Sequence, residues 1–153
     1  MVAMTYTKAN DWILNAMNGT VDIDGDTFRI ALSNTAPASE ASNPLSDGNG
    51  VLANVTQISY TNYADTLTVD RQLQGITSTS TSGVYMFDST VNFTITASGG
   101  ALAGFRYIYV YYDTSTTPVD PLVGVWDYGS TLTLNSGDSA PITFDANGMF
   151  RIT

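Results

Sequence analysis

Residues 105–113 read FRYIYVYYD, five aromatic rings in nine positions. Side chains of an extended chain alternate between two faces, so Phe105, Tyr107, Tyr109 and Tyr111 share one side while Ile108, Val110 and Tyr112 share the other. Both sides are bulky and mostly apolar, which fits a central strand covered on each face. Three roles stay open for the rings: core, a platform on which a sugar stacks, or a subunit contact, where tyrosine adds area at low entropic cost.

Outward from this segment, runs of alternating or β-branched residues predict further strands over Phe28–Leu32, Val55–Tyr60, Leu67–Leu73, Val84–Phe87 and Val91–Thr96. After it come Leu122–Asp127, Thr131–Leu134, Ile142–Asp145 and Met149–Ile152. Turn chemistry separates them: SGG at 98–100, TTPVDP at 116–121, NSGD at 135–138 and DANG at 145–148. The stretch SNTAPASEASNPLSDGNG, 33–50, has no sustained period and predicts a long surface loop. Many short strands predict a mainly β chain, an antiparallel β-sandwich of jelly-roll-like or Ig-like type with one short N-terminal helix, forming a single domain over 1–153.

That helix is expected over 8–18, where Ala9, Trp12, Ile13, Ala16 and Met17 mark one face, with Thr7 as cap and Gly19 as stop. A helix this short is marginal in water, so its stripe needs a cover, either its own sheet or a neighbouring chain. Residues 1–19 are thus an arm that packs on the domain or on a neighbour. If a neighbour supplies the cover, deleting residues 1–18 leaves a folded β domain that no longer assembles. The candidate partner-contact residues are Trp12, Ile13 and Met17 on this face, together with Tyr60 and Tyr63.

Composition narrows the chemistry. The chain has no cysteine and no histidine, which excludes thiol nucleophiles, thiolate metal sites, disulfides and every mechanism that needs an imidazole. Fourteen acidic residues against five basic ones give a net charge of −9, unsuited to nucleic acid or anionic lipid. No stretch is long and apolar enough to span a membrane as a helix.

Two acidic patterns invite functional readings. In DIDGD, Asp22, Asp24 and Asp26 alternate like the first ligands of a calcium loop, but glycine stands at 25 with Thr27 in its expected place, and Ser33 occupies the position of the closing glutamate. A turn with acidic side chains is the reading left. Asp113, Asp120 and Asp127 raise a carboxylate pair, which needs a defined separation across a cleft that sequence does not supply; aspartate also commonly ends strands.

The second half resembles small virion proteins of tailed bacteriophages. The parts that carry the likeness are Tyr111-Tyr112-Asp113-Thr114, Pro121-Leu122-Val123-Gly124, Trp126-Asp127-Tyr128-Gly129, Gly137-Asp138 and Phe144-Asp145-Ala146-Asn147-Gly148, over roughly residues 90–153, with a weaker echo in the N-terminal helix and FRIALS. The resemblance implies a non-catalytic decoration or cement protein without cofactor or metal, made in the host cytoplasm and carried on the capsid surface of the virion. Its implied partners are the major capsid protein and further copies of itself as a homotrimer. A tail or fiber module binding a host surface glycan is the alternative, and a carboxylate hydrolase a third class.

Overall fold

A computed structural model describes residues 4–144 and 149–152. The chain is mainly β, an antiparallel sandwich with one short helix near its N-terminus. The DANG turn and most of the Phe144–Gly148 motif lie outside the described residues; of the strand predicted over Ile142–Asp145 only Ile142 lies in a strand, which runs over Ser139–Ile142 instead.

The elements in chain order are β1 (Thr5–Lys8), α1 (Trp12–Met17), β2 (Phe28–Ser33), β3 (Tyr63–Asp65), β4 (Ile76–Thr81), β5 (Val84–Ser89), β6 (Phe93–Ala97), β7 (Leu102–Tyr112), β8 (Leu122–Leu134), β9 (Ser139–Ile142) and β10 (Phe150–Ile152). They form a four-stranded sheet ordered β1-β8-β7-β2 and two three-stranded sheets, β10-β5-β4 and β3-β6-β9. The FRYIYVYYD strand is central, hydrogen-bonded to β2 on one side and β8 on the other.

Register explains why both of its faces are apolar. Ile108 and Val110 lie beside Leu32, Ile30, Trp126 and Gly124, while Tyr107, Tyr109 and Tyr111 lie beside Ser33, Ala31, Arg29 and Val125. The first face packs toward the smaller sheets: Phe28 meets Phe87 of β5 with ring centroids 5.0 Å apart, and Trp126 meets Phe144 at 5.7 Å. The tyrosine face is roofed by the loop after β2. Ser33 Oγ donates to the Thr56 carbonyl at 2.6 Å, Glu40 accepts from both the amide and the hydroxyl of Thr56, and Val55 is buried. Tyr109 is fully buried, and Tyr107 and Tyr111 nearly so. Their role is core, and each large ring contributes roughly 1.5–3 kcal/mol by leaving water.

The N-terminal prediction needs correction. Thr5–Lys8 is a strand paired with β8, and the helix shortens to six residues. Tyr6 lies against Trp126 at 4.6 Å and across Gly124, where a Cβ would come within 2.6 Å of the tyrosine ring, so only glycine admits this approach. Asp11, not Thr7, precedes the helix, and its side chain caps nothing in it; the carboxylate accepts the amides of Gly48 and Gly50, each at 3.1 Å. With Asn10 N donating to the Leu45 carbonyl, this ties the 33–50 loop to the start of α1.

Two predicted strands are not strands: residues 55–60 are an extended loop, and residues 67–71 bend and turn, with Arg71 at φ 55. Residues 55–60 and 67–73 run along the outer edge of β2, touching it through isolated bridges Ser33↔Gln57 and Arg29↔Gln72. Backbone bonds from Ile58 N to Leu32 O and from Leu73 N to Phe28 O close that edge. The strands predicted over 122–127 and 131–134 are one, β8, whose register jumps from Phe105↔Leu132 to Tyr107↔Asp127 around Gly129, so the segment between them is a bulge in one strand.

Candidate partner interface

The helix stripe is divided between inside and outside. Trp12 is 1% exposed and sits in the chain's own core, its ring against Phe28 at 6.2 Å, Phe87 at 5.8 Å and Phe150 at 6.3 Å. Ile13 is half-buried, and Met17 is 82% exposed. Leu14, which the sequence pattern left out, is 59% exposed, one helical turn from Met17 on the outward face. Trp12 is therefore spent on folding, and the apolar surface that α1 presents is Leu14 with Met17. Spacing alone shows two apolar directions on this helix; which one turns inward is decided by the Phe28, Phe87 and Phe150 rings.

Tyr60 and Tyr63 lie together elsewhere on the fold. Their rings meet edge-on at 5.5 Å, and the Arg71 guanidinium stacks 4.0 Å from the Tyr60 centroid. The Tyr60 hydroxyl accepts from the Leu32 amide at 2.8 Å and donates to Gln57 Oε1 at 3.0 Å. The Tyr63 hydroxyl donates to Asp65 Oδ2 at 2.7 Å, and burial, with the Asp65 carboxylate beside it, pushes its pKa far above the ordinary phenol range. Asp65 also accepts the amides of Leu67 and Arg71. The Tyr60 hydroxyl thus ties its segment to β2, while the Tyr63 hydroxyl is engaged within β3, and Arg71 itself lies at φ 55. The tyrosines expose ring surface, but one face of Tyr60 is already taken by a cation.

The three aspartates near β7 and β8 are also engaged. Asp113 pairs with Arg29 at 2.6 Å, and Asp120 Oδ1 accepts the Thr114 amide at 2.9 Å. Asp127 accepts two bonds from Arg106, at 2.7 and 2.8 Å, and the Gly129 amide at 2.7 Å. The Arg106 hydrogen bonds, aided by Gly129, hold the Asp127 pKa below its ordinary value, so it carries no proton to give at neutral pH.

The DIDGD turn is satisfied by its own backbone amides and by Ser78 of β4. Asp26 N donates to the Asp22 carbonyl at 2.9 Å, Asp22 N to Asp26 Oδ2 at 2.5 Å, and Asp24 Oδ1 accepts the Ser78 hydroxyl at 2.7 Å. Among the described residues no cluster of three or more carboxylates is arranged to hold a metal ion. Compared with known proteins, the chain matches no family model, no curated protein and no solved structure.

Proposed function

We propose that this chain is a capsid decoration protein of a tailed phage, non-catalytic, binding the outside of the shell through the major capsid protein. The sequence likeness of residues 90–153 gives the family expectation; the observation that carries the reading is the outward end of α1. Leu14 and Met17 project from a helix that Trp12 anchors in the core, so the apolar surface is held rigidly and costs little entropy to dock. Binding at many equivalent sites adds modest contributions, each near ~25 cal/mol per Å² of apolar area before association costs.

The test is sedimentation with shells assembled from the major capsid protein alone. The chain is expected to pellet with them, and Leu14→Asp and Met17→Asp are expected to stay in the supernatant with unchanged melting temperatures, since both positions face water. A wild-type chain that ignores shells but binds host-surface glycan overturns the reading in favour of a tail module.

A further inference from the structure

An outermost strand presents unpaired amides and carbonyls that another chain can take up, and proteins guard such strands with charge, proline, brevity or a covering segment. Most edges of this fold carry one of these. The outer side of β2 is covered by residues 57–58 and 71–73, β1 carries Lys8, β9 contains Pro141, and β3 and β10 have three residues each. The exception is β4. It has six residues, ITSTST, with no charge and no proline, and among the described residues no backbone hydrogen bond leaves it on the side away from β5.

The turn that follows fixes which groups are free. Thr81 pairs with Val84 across a two-residue turn, Ser82 and Gly83 having φ 52 and φ 80. The pair that closes such a turn is hydrogen-bonded, so Thr77, Thr79 and Thr81 direct their backbone groups to β5. Ile76, Ser78 and Ser80 direct theirs outward. The threonine side chains form an exposed face, while Ile76 and Ser78 are half-buried on the other. The nearest carboxylates are occupied: Asp24 by the Ser78 hydroxyl, and Asp88, one strand back, by the Ser89 amide.

We propose that β4 pairs antiparallel with β4 of a second copy, about a two-fold axis through Thr79. In that register Ser78 and Ser80 of one copy exchange backbone hydrogen bonds with Ser80 and Ser78 of the other. Thr79 then faces Thr79, and Thr77 faces Thr81, in non-hydrogen-bonded pairs where side chains approach most closely. The strand is self-complementary, and charge selects it. Two chains of net charge −9 repel, and β4 offers an edge that carries no charge of its own, the Asp24 carboxylate beside Ser78 being held by that hydroxyl. The pairing joins six strands into one continuous sheet and does not depend on the shell.

The chain has no cysteine, so Thr79→Cys introduces a single thiol at the axis. Its Cα separation from its mate would be about 4.5 Å, within disulfide reach. Mild oxidation is expected to yield covalent dimer on the order of tenfold or more faster than Thr61→Cys, an exposed control, because pairing raises the local thiol concentration. Thr77→Cys is expected not to link to itself but to link to Thr81→Cys when the two variants are mixed. Light scattering of the unmodified protein is expected to give twice the chain mass of 16.3 kDa. Thr79→Lys, which sets two ammonium groups face to face, is expected to give the single-chain mass with an unchanged melt. A single-chain mass or a three-chain mass for the unmodified protein overturns the pairing, as does a Thr79→Cys variant that crosslinks no faster than the control.

Discussion

Trp12 meets Phe150 edge to face, ring centroids 6.3 Å apart and planes at 87°, so α1 and β10 close the same end of the core. Aromatic pairs in this geometry add to the area they bury. Trp12→Ala is expected to cost about 3–5 kcal/mol, as for large aromatic truncations in cores. Removal of residues 1–18, which also strips β8 of its neighbour β1, is expected to abolish cooperative unfolding. Urea melts of both variants check this; a truncated chain that melts sharply would show the strands to be self-sufficient.

Tyr109 separates ring from hydroxyl. The side chain is fully buried, yet its hydroxyl finds no hydrogen-bond partner among the described residues, and burial pushes its pKa well above the ordinary phenol range. Tyr109→Ala is expected to cost about 3 kcal/mol or more. Tyr109→Phe is expected to be neutral or stabilising by up to about 1 kcal/mol, because it removes a buried polar group that gains nothing. Chemical denaturation of the two variants side by side gives both values.

The Arg106–Asp127 pair predicts a pH effect with a definite sign. The folded pKa of Asp127 lies below its ordinary 3.8, so its contribution to stability is present in full above that value. It is lost as the pH falls through the lower folded value. Asp127→Asn is therefore expected to lower the melting temperature at neutral pH, with the gap to wild type closing in strong acid. The pair is about one-third exposed, so the effect is small, as for a solvent-screened bridge. A gap that is constant with pH would assign the loss to packing or to the Gly129 bond instead.

Stability is expected to be indifferent to metal removal. The DIDGD carboxylates are occupied by amides of their own turn and by Ser78, leaving no open ring of oxygens for calcium. Melting curves with EDTA and with added calcium should superimpose; a calcium-dependent rise would mean that the turn reopens around the ion.

The central strand was legible because a two-sided apolar run has few places to go except between covered faces. FRIALS was legible in position but not in depth: it reads as half-buried, whereas Ala31 and Ser33 are also buried because the 33–58 segment roofs them. The strand β4 escaped notice since ITSTST carries one large apolar residue, too little for a hydrophobic period to register. Residues 55–60 carry a strand-like pattern because they are extended and packed on one side, whereas residues 67–73 alternate in sequence but turn at Arg71 before bridging to β2. Whether such a segment forms a ladder or isolated bridges depends on the path of β2, which local pattern does not contain. The N-terminal helix was legible but not its rotation: Trp12 turns into the core, and Leu14, left out of the stripe, faces water.

The pairing of β1 with β8 has a temporal meaning. During synthesis Thr5–Lys8 leaves the ribosome well before the strand it must lie against, which carries Trp126 to receive Tyr6. Phe28 and Trp12 likewise wait for Phe87. With so many contacts between distant parts of the chain, folding is expected to be slow, and the nascent segment must stay soluble without its core. The scattered aspartates then serve the unfinished chain as much as the finished one: mutual repulsion keeps partly made copies apart until the sheet can close.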